Sequence, residues 1–406
     1  MANQFQGINS GLAELKNFYQ GPIVDQFNED CAIYRGAEKG KFSWSGFQVV
    51  RPLKVRRNQG VGATSDGGTL PKIGRQTTVQ GLIPAAYNYL RFGITGPMIK
   101  ASQSDVGSFV RSAAYELEEG YNDLKSESNR QMGWNGNGSL CQLSANAVAT
   151  TSISLIGREA TEAALKFLDV GSLVDIVTSV DAIEASAVEV VSITSGTATS
   201  AAAVVVLSGA VTATAGSRLI RSGSLNQEMK GLLYQLDGLT TTVFGIDRSA
   251  YLAAQGNNVN LGGGQLTLDA MQRAQDEAER LGGMGVGAIY TDYASRRMYQ
   301  KLLVADKRYV NTVKGDGGFA QKGKSFLEFN GIPIVADKDC PTRIFFLNEK
   351  HIEKYVLAEM EFADETGTMY IPQAETDSLE VRIRFFANLF NSKARGCSAI
   401  QSYVSP

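Results

Sequence analysis

RNQGVGATSDGGTLP, residues Arg57–Pro71, and FVRSAAYELEEGYNDLKSESNRQMGWNGNGSLCQL, residues Phe109–Leu143, are the two pieces of this 406-residue chain whose reading decides the fold. The first is Gly-rich, basic and poor in apolar residues, so it has little to pack against its own chain and needs another surface. The second, reached through TGPMIKAS (Thr95–Ser102), opens as an amphipathic helix. Val106, Phe109, Val110, Ala113, Ala114, Leu117, Tyr121 and Leu124 recur at three- and four-residue spacings and form one apolar stripe. Glu116, Glu118, Glu119, Asp123, Lys125 and Glu127 fill much of the remaining surface. Asp105 stands in the first turn and Arg130 in the last, as the helix dipole prefers. The pattern predicts a helix from Ser104 to Met132, about 40 Å long at the usual rise. That is long enough to serve as a spine, although a surface helix of a large globular protein would show the same stripe.

Outward from these pieces, FQVVRPLKV (Phe47–Val55), TTVQGLIPA (Thr77–Ala85) and YLRFGITG (Tyr89–Gly96) are β-like and flank the Gly-rich tip, which predicts a long two-stranded ribbon. Residues 1–45 read as an arm with a short helix near Leu12–Tyr19 and little periodic core. Leu168–Gly223 changes character: LVDIVTSV, VEVVSIT, AAVVVLS and SRLIRSG are short β-branched runs separated by turn residues, as in a small inserted barrel or sandwich. From Leu266, a helix capped by Thr267 leads through GGMGVG (Gly282–Gly287) to the strand GAIYT and the helix YASRRMYQKLL. This alternation marks an α+β domain.

Composition narrows the classes. Thirty-nine Lys+Arg against forty-one Asp+Glu leave a formal charge of −2, without a global nucleic-acid footprint. Forty-three Gly and nine Pro fit many turns and extended excursions better than a compact enzyme with short loops. Cys31, Cys141, Cys340 and Cys397 form no CxxC pair, so neither a zinc site nor a disulfide framework is indicated, and a reduced compartment fits best. MANQFQGINSG lacks the pattern of a secretory signal. Val190–Ser217 carries no charge, but Ser, Thr and Gly interrupt it too often for a membrane span; strands and turns are expected.

Few motifs offer chemistry. GFAQKGKS (Gly318–Ser325) matches the phosphate-binding P-loop pattern, in which Lys324 would reach terminal phosphates and Ser325 would hold magnesium. The preceding VNTVKGDG is a poor strand and FLEFNGIP a poor helix, so a basic surface loop is the simpler reading, with IPIVAD as a possible acidic-ended second strand. GGMGVG follows a helix and precedes a strand, the reverse of a dinucleotide loop, and reads as a helix stop. His351 is the single histidine, which removes Ser-His-Asp and multi-histidine sites within one chain; EKHIEKY is expected to be a surface helix. Adjacent Glu118 and Glu119 point in different directions on a helix and cannot converge on a substrate. Tyr87, Tyr89 and Phe92 are expected to pack in a strand core. No cofactor or metal is expected.

Charge distribution says more. Arg51, Lys54, Arg56, Arg57, Lys72 and Arg75 against Asp66 give residues 51–75 a charge of +5. Residues 105–132 carry −3, from Asp105, Glu116, Glu118, Glu119, Asp123 and Glu127 against Arg111, Lys125 and Arg130.

The order of these pieces resembles the major capsid proteins of tailed bacteriophages, which share the Hong Kong 97-like shell fold. The arm, RNQGVGATSDGGTLP, TGPMIKAS and the helix with its exit carry the resemblance, joined by GAIYTDYASRRMY, FNGIPIVADKDCP and SKARGCSAIQSYV. The resemblance implies an α+β fold with an N-terminal arm (1–45) and an E-loop ribbon (46–100). A spine-helix P-domain (101–167), the β-rich insertion (168–225), an A-domain (226–380) and P-domain return strands (381–406) would follow. It further implies a non-enzymatic shell subunit forming hexamers and pentamers around DNA, assembled in the host cytoplasm and carried in the virion. A separate scaffolding protein, a portal and possible decoration proteins would be its partners. In the family an E-loop lies across a neighbour's P-domain, which would bring Arg56, Arg57, Lys72 and Arg75 to Glu118, Glu119 and Asp123 of another copy. Encapsulin nanocompartments share the fold, and a P-loop NTPase is the alternative from another class.

Overall fold

The computed structural model describes residues 32–95, 106–158, 162–196, 202–238, 241–283, 285–305, 327–363, 370–372 and 376–404. The expected arm helix at Leu12–Tyr19, and the P-loop-like GFAQKGKS, lie outside them.

The long helix runs over Val106–Gly133. Its 28 residues correspond to about 42 Å. Leu117, Tyr121 and Leu124 are buried where the stripe predicts. They pack on a five-stranded sheet, and Leu90 crosses the helix so closely at Gly120 that a Cβ there would lie 2.9 Å from Leu90 Cδ2.

Ser378–Asn391 is the central strand of that sheet. It pairs antiparallel with Ala86–Thr95 on one side and with Ile352–Phe362 and Tyr370–Pro372 on the other; Glu38–Lys39 adds a short parallel edge. Of the arm before this edge, the described residues 32–37 do contribute to a core, because the short helix Ala32–Gly36 buries Ile33 and Tyr34 in the main core. The expected EKHIEKY helix is a single 3-10 turn, Glu349–His351, followed directly by the strand. The period along IEKYVLAEMEF explains the outcome: it is near two, with Ile352, Val356, Met360 and Phe362 on the main core and Leu357 and Glu359 exposed.

A second sheet has six strands, in the order Asn257–Gln265, Ser398–Val404, Ile344–Leu347, Ala288–Thr291, Ile332–Ala336 and Leu327–Phe329. Helices Leu268–Gly282 and Tyr293–Ala305 contribute to the core on one face; the other face joins the main core. Thr267 caps the first helix by accepting from the Ala270 amide, and Gly283 closes it in the left-handed region at φ 66°. The closing SAIQSYV does not return to the long helix's sheet. It lies between two strands of the six-stranded sheet, where Ile400 and Tyr403 are buried, so the final segment 381–406 is divided between both sheets.

The β-rich insertion is a closed six-stranded barrel, ordered Arg218–Arg221, Ser139–Leu143, Ala147–Ile156, Ala202–Ala213, Ile183–Ser195 and Leu173–Val177. It begins at Ser139 rather than near Leu168. The helix exit SLCQL supplies the strand that pairs with Arg218–Arg221, and Ala147–Ile156 pairs with Ala202–Ala213. These two early strands are polar enough on their outer face to look like loop. Among the described residues no helix is long and apolar enough to cross a membrane.

Candidate inter-subunit surfaces

The ribbon consists of Gln48–Arg56 paired antiparallel with Thr77–Pro84, and its tip spans residues 57–76. Its root is fixed. Val49 and Ile83 are fully buried against Phe244, Tyr355 and Phe390, and the Leu82 amide donates to the Phe244 carbonyl at 2.9 Å. Arg51 donates from Nε and Nη2 to both oxygens of Glu353, at 3.1 and 2.9 Å, and lies over the Phe42 ring at 4.6 Å. The Tyr355 hydroxyl donates to the same carboxylate at 2.5 Å. Burial alone would raise the Glu353 pKa; the Arg51 and Tyr355 hydrogen bonds hold it below the usual range.

The tip has no comparable support. Every residue from Val61 to Leu70 is exposed, including the apolar Val61 and Leu70, and Ile73 is wholly open to solvent. Arg56, Arg57, Lys72 and Arg75 are exposed along this excursion. Arg51 belongs to the root, so the charge presented by the ribbon is smaller than the sequence count.

Glu118, Glu119 and Asp123 are exposed on the long helix, opposite the buried Leu117, Tyr121 and Leu124. Among the described residues no ion pair joins these acids to the four basic residues, so within one chain the structure does not bring the two sets together. Tyr87 and Tyr89 are exposed, edge-on to Phe386 at 4.9 and 5.2 Å, whereas Phe92 is half-buried against the main core. The expectation of core packing therefore fails for both tyrosines, because they occupy the strand's outward positions.

The last turn of the long helix carries a buried ionic cluster that the sequence reading missed. Arg130 is fully buried and pairs with Glu127 and Glu228; Arg221 of the barrel reaches Glu127 at 3.3 Å. Arg158 pairs with Glu162, stacks over Trp134 at 3.8 Å and donates to the Ser139 carbonyl at 3.4 Å. Burial would raise Glu127, but Arg130 and Arg221 lower its pKa to about 2. Burial dominates at Glu228 and raises it. The i,i+3 and i,i+4 spacings of Glu127–Arg130 and Arg158–Glu162 were the available local signal; Glu228 had none. The cluster ties helix, barrel and following segment together.

Nearby, Asn129 donates to Asp337 at 2.8 Å and to Asp339 at 3.0 Å. Asp337, the acid that ends IPIVAD, therefore braces the helix. The strand Leu327–Phe329 follows GFAQKGKS where a P-loop requires a helix, which removes structural support for the nucleotide reading. Cys141, Cys340 and Cys397 are free and buried; burial pushes the Cys141 thiol up to about 12 and raises the other two, so they are poor nucleophiles.

No protein-family model and no curated protein matches the sequence. The capsid asymmetric unit of cyanophage A-1(L) is similar in structure, with a TM-score of 0.53 and 14% identity over 99% of this chain and 95% of that one. The capsid of a native GTA particle aligns at a TM-score of 0.49 and 9% identity, covering 92% of this chain and 90% of that one. The holo-SrpI encapsulin complex from Synechococcus elongatus aligns at 0.43 and 8% identity, covering 81% and 78%. At such identities the likeness is one of fold, and the cyanophage match establishes it over nearly the whole of both chains. The chain shares a Hong Kong 97-like fold with that cyanophage capsid chain, α+β with an inserted β-barrel.

Proposed function

We propose that this chain is the major capsid protein of a tailed bacteriophage, assembling as hexamers and pentamers into an icosahedral shell around DNA. The near-complete overlap with the cyanophage capsid subunit is the observation that carries the reading. The ribbon is the E-loop, the long helix and five-stranded sheet form the P-domain, and the six-stranded sheet belongs to the A-domain. A separate scaffolding protein, a portal and decoration proteins are the proposed partners, with assembly in the host cytoplasm before release in virions. The fixed ribbon root and exposed tip suit this role: the root sets direction, while burial of the tip awaits a neighbour.

Purified protein, alone or with its scaffolding partner, should sediment as capsomers or shells and show closed particles in negative stain. A compact monomer at high concentration in both conditions would overturn the reading. Shells formed around a protein cargo in place of DNA would indicate an encapsulin-like nanocompartment instead.

The proposed contact joins Arg56, Arg57, Lys72 and Arg75 of one copy to Glu118, Glu119 and Asp123 of another. Opposite charge there would set register and suppress wrong pairings. Arg56→Glu with Arg57→Glu should impair assembly while leaving the subunit folded, since exposed charges contribute little to stability. Reversing Glu118, Glu119 and Asp123 to Lys should restore part of it. Raised salt should weaken the wild-type contact, which is screened over about 8–10 Å. Wild-type assembly by the ribbon variant at low salt would remove the electrostatic part of this interface.

A further inference from the structure

We propose that a cationic groove at the ribbon root takes residues 1–31 of the same chain, an acidic segment with interspersed aromatic side chains. The groove has a volume of about 520 Å³. Leu53, Tyr251, Leu252 and Leu281 give it an accessible apolar floor above the buried Val243, Ile246 and Phe390; Lys54, Arg56, Arg57, Lys393 and Arg395 bring positive charge to its walls. Among the described residues no Asp or Glu lines it. Arg248 also contributes, but its guanidinium is already committed to the Asp237 and Gln235 carbonyls. Among the described residues the five other cations form no ion pair. A concave surface of one sign between low-dielectric walls concentrates its field and attracts an anion.

The apolar floor selects among anions. A phosphate chain could meet the cations but would leave the floor without an apolar complement. A peptide with an aromatic residue between carboxylates satisfies both. Residues 1–31 contain Glu14, Asp25, Glu29 and Asp30 against Lys16, a net charge of −3, with Phe18, Tyr19 and Phe27 among them. In VDQFNED, Phe27 stands between Asp25 and the Glu29–Asp30 pair, so one ring can enter while carboxylates reach the walls on either side. Thirty-one residues have a contour of roughly 100 Å, and covalent attachment gives a tethered ligand an effective concentration in about the millimolar range. This favours the chain's own segment over a free competitor. Groove and segment belong to one chain, so the inference stands independently of shell formation.

Leu252 lines the groove and is 59% exposed, which makes it a suitable reporter position. With p-benzoylphenylalanine placed there in the full-length protein, irradiation should give an adduct of single-chain mass whose peptide map joins position 252 to residues 1–31. Lys393→Glu with Arg395→Glu should reduce its yield about tenfold, equivalent to about 1.4 kcal/mol of lost binding. Adding Asp25→Lys, Glu29→Lys and Asp30→Lys should restore it. Four results would overturn the proposal: no adduct with residues 1–31, an adduct with that segment at twice the chain mass, crosslinking to residues 117–124 of a second copy, or bound nucleic acid that must be digested before any adduct forms. The third would assign the groove to the proposed ribbon–helix interface, leaving that interface intact while rejecting this occupant.

Discussion

Arg130→Ala is expected to destabilise the folded subunit by about 3–5 kcal/mol, the usual cost of removing one partner from a buried charge cluster. Arg130 is fully buried and serves both Glu127 and Glu228, so its loss strands the buried Glu228, while the partly exposed Glu127 keeps Arg221 at 3.3 Å. The penalty lies in the stranded Glu228 more than in the lost attraction. Combining Arg130→Met with Glu127→Gln and Glu228→Gln should therefore recover much of the stability, because no charge then remains buried in that pair of contacts. Urea unfolding followed by tryptophan fluorescence can test this, since Trp134 stacks with Arg158 in the adjoining cluster. A cost below about 1 kcal/mol for Arg130→Ala would mean that the acids reach water or protons and that the cluster does not hold helix and barrel together.

The same cluster makes an acid limb in stability. Glu127 has an ordinary value of 4.5 and is lowered to about 2 in the fold. Its contribution is full above the unfolded value and is lost as pH falls from 4.5 toward about 2. Glu228 is raised, so folding favours its protonated form and its contribution has the opposite slope, fading as pH rises through the raised value. In Arg130→Ala the charge that chiefly depresses Glu127 is gone, and the loss of stability between pH 4.5 and about 2 should shrink. An unchanged acid limb would place its origin at other carboxylates.

Local periodicity made the long helix legible before any contact was known, and the Thr267 cap and the Gly283 stop were equally local. The barrel was only half legible. Its later strands alternate with β-branched residues, whereas Ser139–Leu143 follows a helix and gains its meaning from pairing with Arg218–Arg221. The basic tip and the acidic helix surface could be read as charge, but the special position of Arg51 could not: its partner Glu353 is 302 residues away. Arg130 fits an ordinary C-terminal helix cation in sequence. Only the arrival of Glu228 and the barrel turns that familiar placement into a buried cluster. The cationic groove is likewise assembled from the ribbon and the distant segment Lys393–Arg395.

Leu117→Asp is expected to stop productive folding or reduce stability by several kcal/mol. Leu117 is 5% exposed in the core between the long helix and the five-stranded sheet. Removing a buried leucine side chain costs about 2–5 kcal/mol through lost burial and the cavity left behind. The introduced carboxylate adds a desolvation penalty, limited because the group can protonate instead of remaining charged. Its pKa should rise in the fold, so the added penalty should diminish as pH falls through that raised value toward the ordinary value of about 3.9. Leu117→Ala separates the effects: it should show the cavity cost without this added pH dependence. Soluble yield and urea midpoints across pH 4.5–8 provide the comparison, above the range in which the Glu127 contribution is lost. Normal yield and a midpoint matching wild type for Leu117→Asp would mean that this stripe does not seal the helix to the sheet. The helix could then not transmit the fixed position of that sheet to the acids Glu118, Glu119 and Asp123 on its outer surface.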